Sequence, residues 1–209
     1  MTKTLVIVFV KNTTLGSVKT RLAKTIGDFG ALEVYKELLK ITKQAISEIK
    51  SDVRIYFSKE IDAKEWTNFP KYKQQGSDLG ERMYNAFKDG FNDGYKNIVL
   101  IGSDLPDISA KHIENGLNAL QESKATFGPA EDGGYYLIGL QHAIPEIFKN
   151  KPWSQPHLLQ TTLQELHNLN ISVSILETLN DIDTYKDLIA SDFYKNNQKL
   201  QEKIQQLND

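Results

Sequence analysis

The sequence predicts a three-layer α/β/α protein with a Rossmann-like, mostly parallel sheet. Two observations support this fold class. Short apolar runs at residues 5–10 and 98–101 are rich in β-branched side chains and unbroken by polar ones, which is typical of strands buried on both faces. Between such runs, apolar residues recur at helical spacing, and strands that alternate with helices form parallel sheets. In sheets of this kind, ligands bind beyond the carboxyl ends of the strands.

The individual elements follow from the spacing of the apolar residues. Strands are predicted at residues 5–10, 53–58, 97–102, 125–129, 135–140 and 171–176. An amphipathic helix follows the first strand, because apolar residues such as Tyr35 recur at helical spacing from Leu32 to Ile49. Later helices are predicted from Asp78 to Gly90 and from Ser109 to Leu120, each with a polar cap, then over residues 156–169 and from Tyr185 to the end. We expect one domain over residues 1–209, with a polar helix at 196–209 that frays.

The composition excludes several classes of function. The 209 residues include 25 basic and 27 acidic side chains, a net charge of −2, whereas a general nucleic-acid binder usually has a basic excess. The chain contains no cysteine, so disulfides, thiolate zinc sites and cysteine nucleophiles are excluded. It shows neither a signal peptide nor an apolar window of the ~18 residues that a membrane helix needs. We therefore expect a cytoplasmic protein without a membrane span or a nucleic-acid partner.

The segment after the first strand is the most informative part of the chain. It contains Lys11, Gly16, Lys19, Thr20 and Arg21 and leads into the first helix. A strand, a loop rich in backbone N–H groups and a helix N-terminus form a natural anion site, which nearby cations strengthen. The alternative is an ordinary charged turn, because neither of the common phosphate-loop motifs is present.

Carboxylates follow two other predicted strands. Asp104 comes directly after the strand that ends near Gly102, where it could hold a divalent cation that bridges phosphates. Its alternative role is in a turn. Asp181 and Asp183 follow the last strand and are spaced to share one cation, or else Asp183 or Thr184 caps the next helix.

A glycine pair lies between two predicted strands, after two acidic residues. Gly133 and Gly134 could form a tight turn, or could let the backbone approach a ligand while Asp132 accepts hydrogen bonds from hydroxyl groups. Tyr135 and Tyr136 point to opposite faces of the strand, so only one of them is expected to face a pocket. Trp153 is a candidate pocket wall, although a single tryptophan is more often a packing residue.

These loops together resemble one known family. Five motifs occur in the same order as in that family, over about residues 4 to 190. They are Phe9-x-Lys11 together with residues 16–22, residues 75–76 together with residues 78–83, residues 102–106, residues 128–136, and Trp153-Ser154. The pattern resembles the bacterial DUF2064 proteins, a glycosyltransferase-like group with the nucleotide-diphospho-sugar transferase (A-type glycosyltransferase) fold. It is more distantly similar to phospholactate and molybdenum-cofactor guanylyltransferases. The chain departs from the family pattern at Thr13, where proline is usual, and at Gln155, where threonine is usual.

The resemblance implies a site residue by residue. Lys11, Lys19 and Arg21, in the loop with Gly16 and Thr20, would bind the phosphates of a nucleotide or nucleotide-sugar. Asp104 would hold Mg²⁺ or Mn²⁺, with Asp181 or Asp183, and act in catalysis with Asp132.

The resemblance also implies a pocket for the sugar or second substrate, formed by Gly133, Gly134, Tyr135 and Trp153. The expected reaction is metal-dependent glycosyl transfer from a nucleotide-diphospho-sugar. The alternatives are nucleotidyl transfer with release of pyrophosphate, and a nucleotide-binding module without catalysis.

Overall fold

A computed structural model describes residues 3–208 of the chain. It contains a seven-stranded sheet with helices on both faces. The strands are β1 (Thr4–Val10), β2 (Asp52–Phe57), β3 (Lys71–Lys73), β4 (Asn97–Ile101), β5 (Ala125–Pro129), β6 (Tyr135–Leu140) and β7 (Val173–Ile175). The helices are α1 (Thr20–Ser47), α2 (Leu79–Asn92), α3 (Ala110–Ala119), α4 (Leu158–Asn168), α5 (Tyr185–Ala190), α6 (Asp192–Lys195) and α7 (Gln198–Asn208), with a 3₁₀ helix at Pro145–Phe148.

The strand order is β3-β2-β1-β4-β6-β5-β7. Four pairings are parallel: β1 with β2, β1 with β4, β2 with β3, and β5 with β7. Strand β6 runs antiparallel to both β4 and β5. The sheet is therefore mostly parallel, as predicted. Because β6 is reversed, its first residues lie at the same edge as the carboxyl ends of its neighbours.

Strand β1 lies inside the sheet, between β2 and β4, and both of its faces are apolar. Leu5 and Ile7 pack into the core on one side, whereas Val6 and Val8 pack into the core on the other. This alternation is the period of two expected of a strand covered by helices on both faces. Within residues 3–208, no helix is long and apolar enough to cross a membrane.

Most predicted elements are confirmed, with shifted ends. The first helix begins earlier than predicted, at Thr20, and bends at Gly27, whose φ of 71° is not helical. Asp78 caps α2 by accepting a hydrogen bond from the Glu81 N–H, and Ser109 caps α3 in a capping box. Strand β3 and the 3₁₀ helix were not predicted, because each is too short to show a periodic pattern.

The prediction of one helix from Tyr185 to the end is wrong. The segment forms three short helices, α5 to α7, and Ser191 ends α5 and caps α6 through its side chain. Helix α7 packs against α1, and its side chains Leu200 and Ile204 are buried in a third apolar cluster. The polar composition of this segment therefore conceals a narrow apolar face.

Candidate functional site

The predicted site residues meet at one edge of the sheet. Lys11 follows β1 and Asp104 follows β4, while the 130–134 turn joins β5 to β6 at the same edge. The segment after β7 is joined to this turn by a parallel bridge between Ala130 and Leu179. The Ile182 N–H also donates to the Asp104 carbonyl at 3.4 Å, which brings the 181–183 segment beside the loop after β4.

The β1–α1 loop is held by its own hydrogen bonds and by the strand next to it. Gly16 has a φ of 72°, which favours glycine, and the Ser17 N–H donates to the Thr14 carbonyl at 3.0 Å. The Asn12 side chain accepts from the Lys59 N–H at 2.9 Å. The N-cap position of α1 is Lys19, in the left-handed region at φ 48°, and no side chain caps this helix. The first turn of α1 thus retains backbone N–H groups that can bind an anion.

Lys19 and Asp104 form an ion pair at the bottom of the crevice. The Lys19 Nζ atom lies 3.0 Å from the Asp104 Oδ2 atom, and the side chains are 1% and 26% exposed. Burial alone would raise the pKa of Asp104, but the positive charges of Lys19 and Lys11 outweigh it and lower that pKa. Asp104 is therefore ionised, and its carboxylate is already compensated by an ammonium group.

Lys11 is linked to the same loop through Tyr35. The Lys11 N–H donates to the Tyr35 hydroxyl at 2.8 Å, and that hydroxyl lies 3.0 Å from the Ser103 hydroxyl. The Lys11 side chain is exposed. The first loop and the Asp104 loop are thus joined by backbone and hydroxyl contacts as well as by the Lys19–Asp104 pair.

Arg21 and Asp183 form a second, exposed ion pair. Their side chains are 2.9 Å apart and 61% and 38% exposed. Of the alternatives left open by the sequence, Thr184 is the N-cap of α5, in a capping box with Asp187. The Asp183 carboxylate therefore lies against a guanidinium group at the rim of the site.

Asp181 is partly buried, and its pKa is unusually high. Burial and then the negative charge of Asp104 raise the pKa of Asp181 to about 6, and the charges of Asp132 and Asp183 act in the same direction. Oxygen ligands of this kind are those that Mg²⁺ and Mn²⁺ prefer, so the donor chemistry fits a divalent ion. Within residues 3–208, however, no three His, Cys, Asp or Glu side chains converge in a geometry that could hold a metal.

A cavity of about 220 Å³ opens beside these carboxylates. Asp104, Asp132 and Asp181 line it together with mainly apolar side chains. Of the predicted pocket residues, Gly134, Tyr135 and Trp153 line it, and Tyr136 lines it as well. The expectation that only one of the two tyrosines faces a pocket is therefore wrong: both line the cavity, although they pack with different apolar clusters.

Gly133 is the predicted pocket residue that does not line the cavity. Its φ is 86°, and a Cβ atom there would lie 1.8 Å from the Pro156 carbonyl oxygen. The Gly133 carbonyl accepts from the Leu159 N–H at 3.0 Å. The missing side chain therefore makes room for the segment before α4 and not for a ligand. Beside it, the Gly134 N–H donates to the Asp132 Oδ1 atom at 2.8 Å, which fixes that carboxylate.

The start of α2, which was not predicted to contribute to the site, forms one wall of the cavity. Leu79 and Met83 line it, and a Cβ atom on Gly80 would lie 2.5 Å from the Trp153 ring. Gly80 thus allows Trp153 to pack against α2. The glycine in the 78–83 motif was a signal for this close approach. Gln155, one of the departures from the family pattern, also lines the cavity.

Comparison with known proteins agrees with this fold. Residues 41–155 match the family model DUF2064, described as "Uncharacterized protein conserved in bacteria". The solved structure of a candidate nucleotide-diphospho-sugar transferase from Desulfovibrio desulfuricans G20 is 31% identical and has a TM-score of 0.83 over 99% of each chain. The 2-phospho-L-lactate guanylyltransferase of Methanocaldococcus vulcanius is 26% identical over 189 residues, 87% of this chain and 82% of the relative.

A third comparison extends the similarity to a protein solved with a metal. The manganese complex of Rv0371c from Mycobacterium tuberculosis H37Rv has the same fold at 12% identity, with a TM-score of 0.51 over 90% of this chain and 97% of that one. The sheet described above is therefore the α/β sheet of the nucleotide-diphospho-sugar transferases.

Proposed function

The chain belongs to the DUF2064 family, and from this premise we propose that it is a divalent-metal-dependent transferase that moves a glycosyl group from a nucleotide-diphospho-sugar to an acceptor. The similar proteins support a nucleotidyl or glycosyl transferase. The proposal of glycosyl transfer from a nucleotide-sugar depends on the edge of the sheet that carries Lys11, Lys19 and Asp104.

The single observation that carries the proposal is the combination of a positively charged loop with an uncapped helix start. Lys11 and Arg21 are exposed cations on either side of the first turn of α1, where no side chain caps the backbone N–H groups. A pyrophosphate would be stabilised there by both the N–H groups and the cations. The Asp104 carboxylate pairs with Lys19 of the same loop and is also stabilised by the charge of Lys11, an arrangement that a merely charged turn does not require.

The acidic residues of the site are suited to a divalent ion that neutralises the phosphates. Asp104 and Asp181 would hold Mg²⁺ or Mn²⁺, and the ion would supply charge stabilisation for the leaving diphosphate. To accept such an ion, the Asp104 carboxylate would exchange its contact with Lys19. The Lys19 ammonium group would then be available to a phosphate oxygen.

The residues would stabilise charge as it develops and would position the two substrates. An acceptor hydroxyl oxygen forms a bond to the anomeric carbon while the bond from that carbon to the diphosphate oxygen breaks. The nucleoside diphosphate leaves with the electron pair, held by Lys11, Lys19 and Arg21. The hydroxyl proton passes to a carboxylate, and we propose Asp132 for this role, since the Gly134 N–H holds it at the cavity wall.

Nucleotidyl transfer is the second candidate because a guanylyltransferase is similar over 87% of this chain. In that reaction an acceptor oxygen attacks the α-phosphate and pyrophosphate leaves with the electron pair. The two reactions require the same cationic loop and differ in the product that is released.

The test is incubation with a panel of nucleoside triphosphates and nucleotide-sugars, with and without Mg²⁺ or Mn²⁺, and detection of the products by mass spectrometry. Release of a nucleoside diphosphate from a nucleotide-sugar is expected. Release of pyrophosphate from a triphosphate would favour nucleotidyl transfer instead. Metal-dependent binding without turnover of any member would support a nucleotide-binding module. The Lys11→Ala variant should lose nucleotide affinity, whereas Lys24→Ala, an exposed lysine of α1, is the matched control.

A further inference from the structure

The cavity beside Asp104 combines an apolar wall with a negative rim. Phe9, Met83 and Trp153 are among its apolar lining residues, and its acidic residues are Asp104, Asp132 and Asp181. Among the described residues that line it, none is Lys, Arg or His. The cationic loop and the cavity are therefore two separate environments within one site.

The size of the cavity limits what it can hold. Its volume of about 220 Å³ exceeds the ~150 Å³ of a protein cavity that holds benzene, and it is below the ~300 Å³ where pockets for drug-sized ligands begin. It therefore suits a single ring or a short chain and not a whole nucleotide. The nucleotide would lie on the loop side, and a smaller group would enter the cavity.

The charge of the cavity is not compensated from within. Lys19 pairs with Asp104, but Asp132 and Asp181 have no ion-pair partner in the described part of the chain. A diphosphate that enters together with one divalent ion brings no net positive charge. With no metal ion bound, a phosphate or carboxylate in the cavity would therefore lie beside two carboxylates, Asp132 and Asp181, that have no ion-pair partner among the described residues.

Two polar side chains of the cavity wall each carry a buried atom without a hydrogen-bond partner, and a ligand would reach these atoms only if the wall side chains shift. The Trp153 Nε1 and Tyr135 Oη atoms are both buried without a hydrogen bond, and both side chains line the cavity. The indole can only donate, and the phenol can donate or accept. Hydroxyl groups can meet both needs, and they can also donate to the carboxylates.

We propose that this cavity takes the second substrate, and that this substrate is an uncharged or cationic compound with a ring-sized apolar surface and a hydroxyl or amino group. The proposal rests on the proposed transferase function. It separates this chain from the relative named for 2-phospho-L-lactate, an acceptor with both a phosphate and a carboxylate. An acceptor of that class would place its anionic groups beside Asp132 and Asp181.

The tryptophans allow a direct binding test. The chain has two, and Trp66 packs in a different apolar cluster, against Lys43. In a Trp66→Phe background, Trp153 fluorescence reports on the cavity alone. The ligands are phenylethanol, phenylethylamine and phenylacetate, which share one ring and differ in charge.

We expect the neutral and cationic ligands to change the Trp153 fluorescence and phenylacetate to bind at least about tenfold more weakly. The Asp132→Asn variant keeps the oxygen that accepts from Gly134 and loses the charge, so it should reduce this difference, as should Asp181→Asn. Equal or tighter binding of phenylacetate, or no response to any of the three, would overturn the proposal.

Adding neutral, cationic, phosphorylated and carboxylated acceptors to the nucleotide panel separates this proposal from the proposed function. Turnover confined to phosphorylated or carboxylated acceptors would overturn the assignment of the cavity while the transferase function stands. Binding of the neutral and cationic ligands without turnover of any nucleotide would support the cavity and contradict the function.

Discussion

Replacing Asp104 in the Lys19–Asp104 ion pair should destabilise the fold more than replacing Lys19 does. The Lys19 side chain is 1% exposed and that of Asp104 is 26% exposed, so each partner would be left in a different environment if the other were removed. Replacing Asp104 by Asn leaves a buried ammonium group without its counter-charge, which costs about 3 kcal/mol in comparable cases. Replacing Lys19 by Met leaves a carboxylate that water reaches and that Lys11 still stabilises, so we expect a loss of only about 1 kcal/mol.

Urea and thermal unfolding of the wild type, both single variants and the double variant measure this difference in stability. Asp104→Asn should lower the midpoint of thermal unfolding by about 6–12 °C, since 1 kcal/mol corresponds to roughly 2–4 °C in a chain of this size. The double variant should be more stable than Asp104→Asn alone, because it removes the buried charge as well. Asp183→Asn is the matched control: it breaks an exposed pair with Arg21 and should cost under about 1 kcal/mol.

Equal losses for Asp104→Asn and Asp183→Asn, or additive effects in the double variant, would refute the reasoning. The expected loss for Asp104→Asn follows from the burial of Lys19, because an ion pair between two exposed side chains would leave no buried charge behind.

Two further predictions concern the same edge of the sheet. Burial and the charge of Asp104 raise the pKa of Asp181 to about 6, so the folded state binds this proton more tightly than the unfolded state does. The wild type should therefore lose stability relative to Asp181→Asn as the pH rises from about 4 to about 6. Near pH 7 the variant should be more stable by about 3 kcal/mol, since one pKa unit corresponds to ~1.4 kcal/mol, and parallel pH profiles in urea unfolding would contradict this. Gly133→Ala should cost several times more than Gly94→Ala, about 1 kcal/mol, because both glycines have a φ of 86° but only Gly133 has a backbone oxygen in the way; equal melting temperatures of the two variants would contradict this.

Local sequence patterns predicted the elements well where the pattern was long. Strands β5 and β6 were predicted with their observed ends, and the caps Asp78 and Ser109 were predicted from their residue types. The pattern failed where tertiary contacts set the structure. Helix α7 looked like a fraying tail because its apolar residues are few, yet two of them pack against α1.

The candidate site was predicted in its members but not in its pairings. Loops after parallel strands had to meet at one edge, which brought Lys11, Asp104 and Asp132 together. Spacing could not reveal that Lys19 points inward to Asp104 while Arg21 points outward to Asp183. Nor could it show that α2 forms a wall of the cavity, since Leu79 and Trp153 are far apart in the chain.

The sequence by itself determined most of the strands and helices along the chain, the β1–α1 loop with its cations, and the residue types available at the edge of the sheet. These follow from local periodicity and from the rule that parallel strands end together. Only the tertiary structure decided which charges are buried and with which partner, that Gly133 accommodates Pro156, and that the cavity is negative. Burial and distance depend on contacts between residues that are far apart in the chain. These two quantities determine how much a charge or a missing side chain contributes to stability and binding.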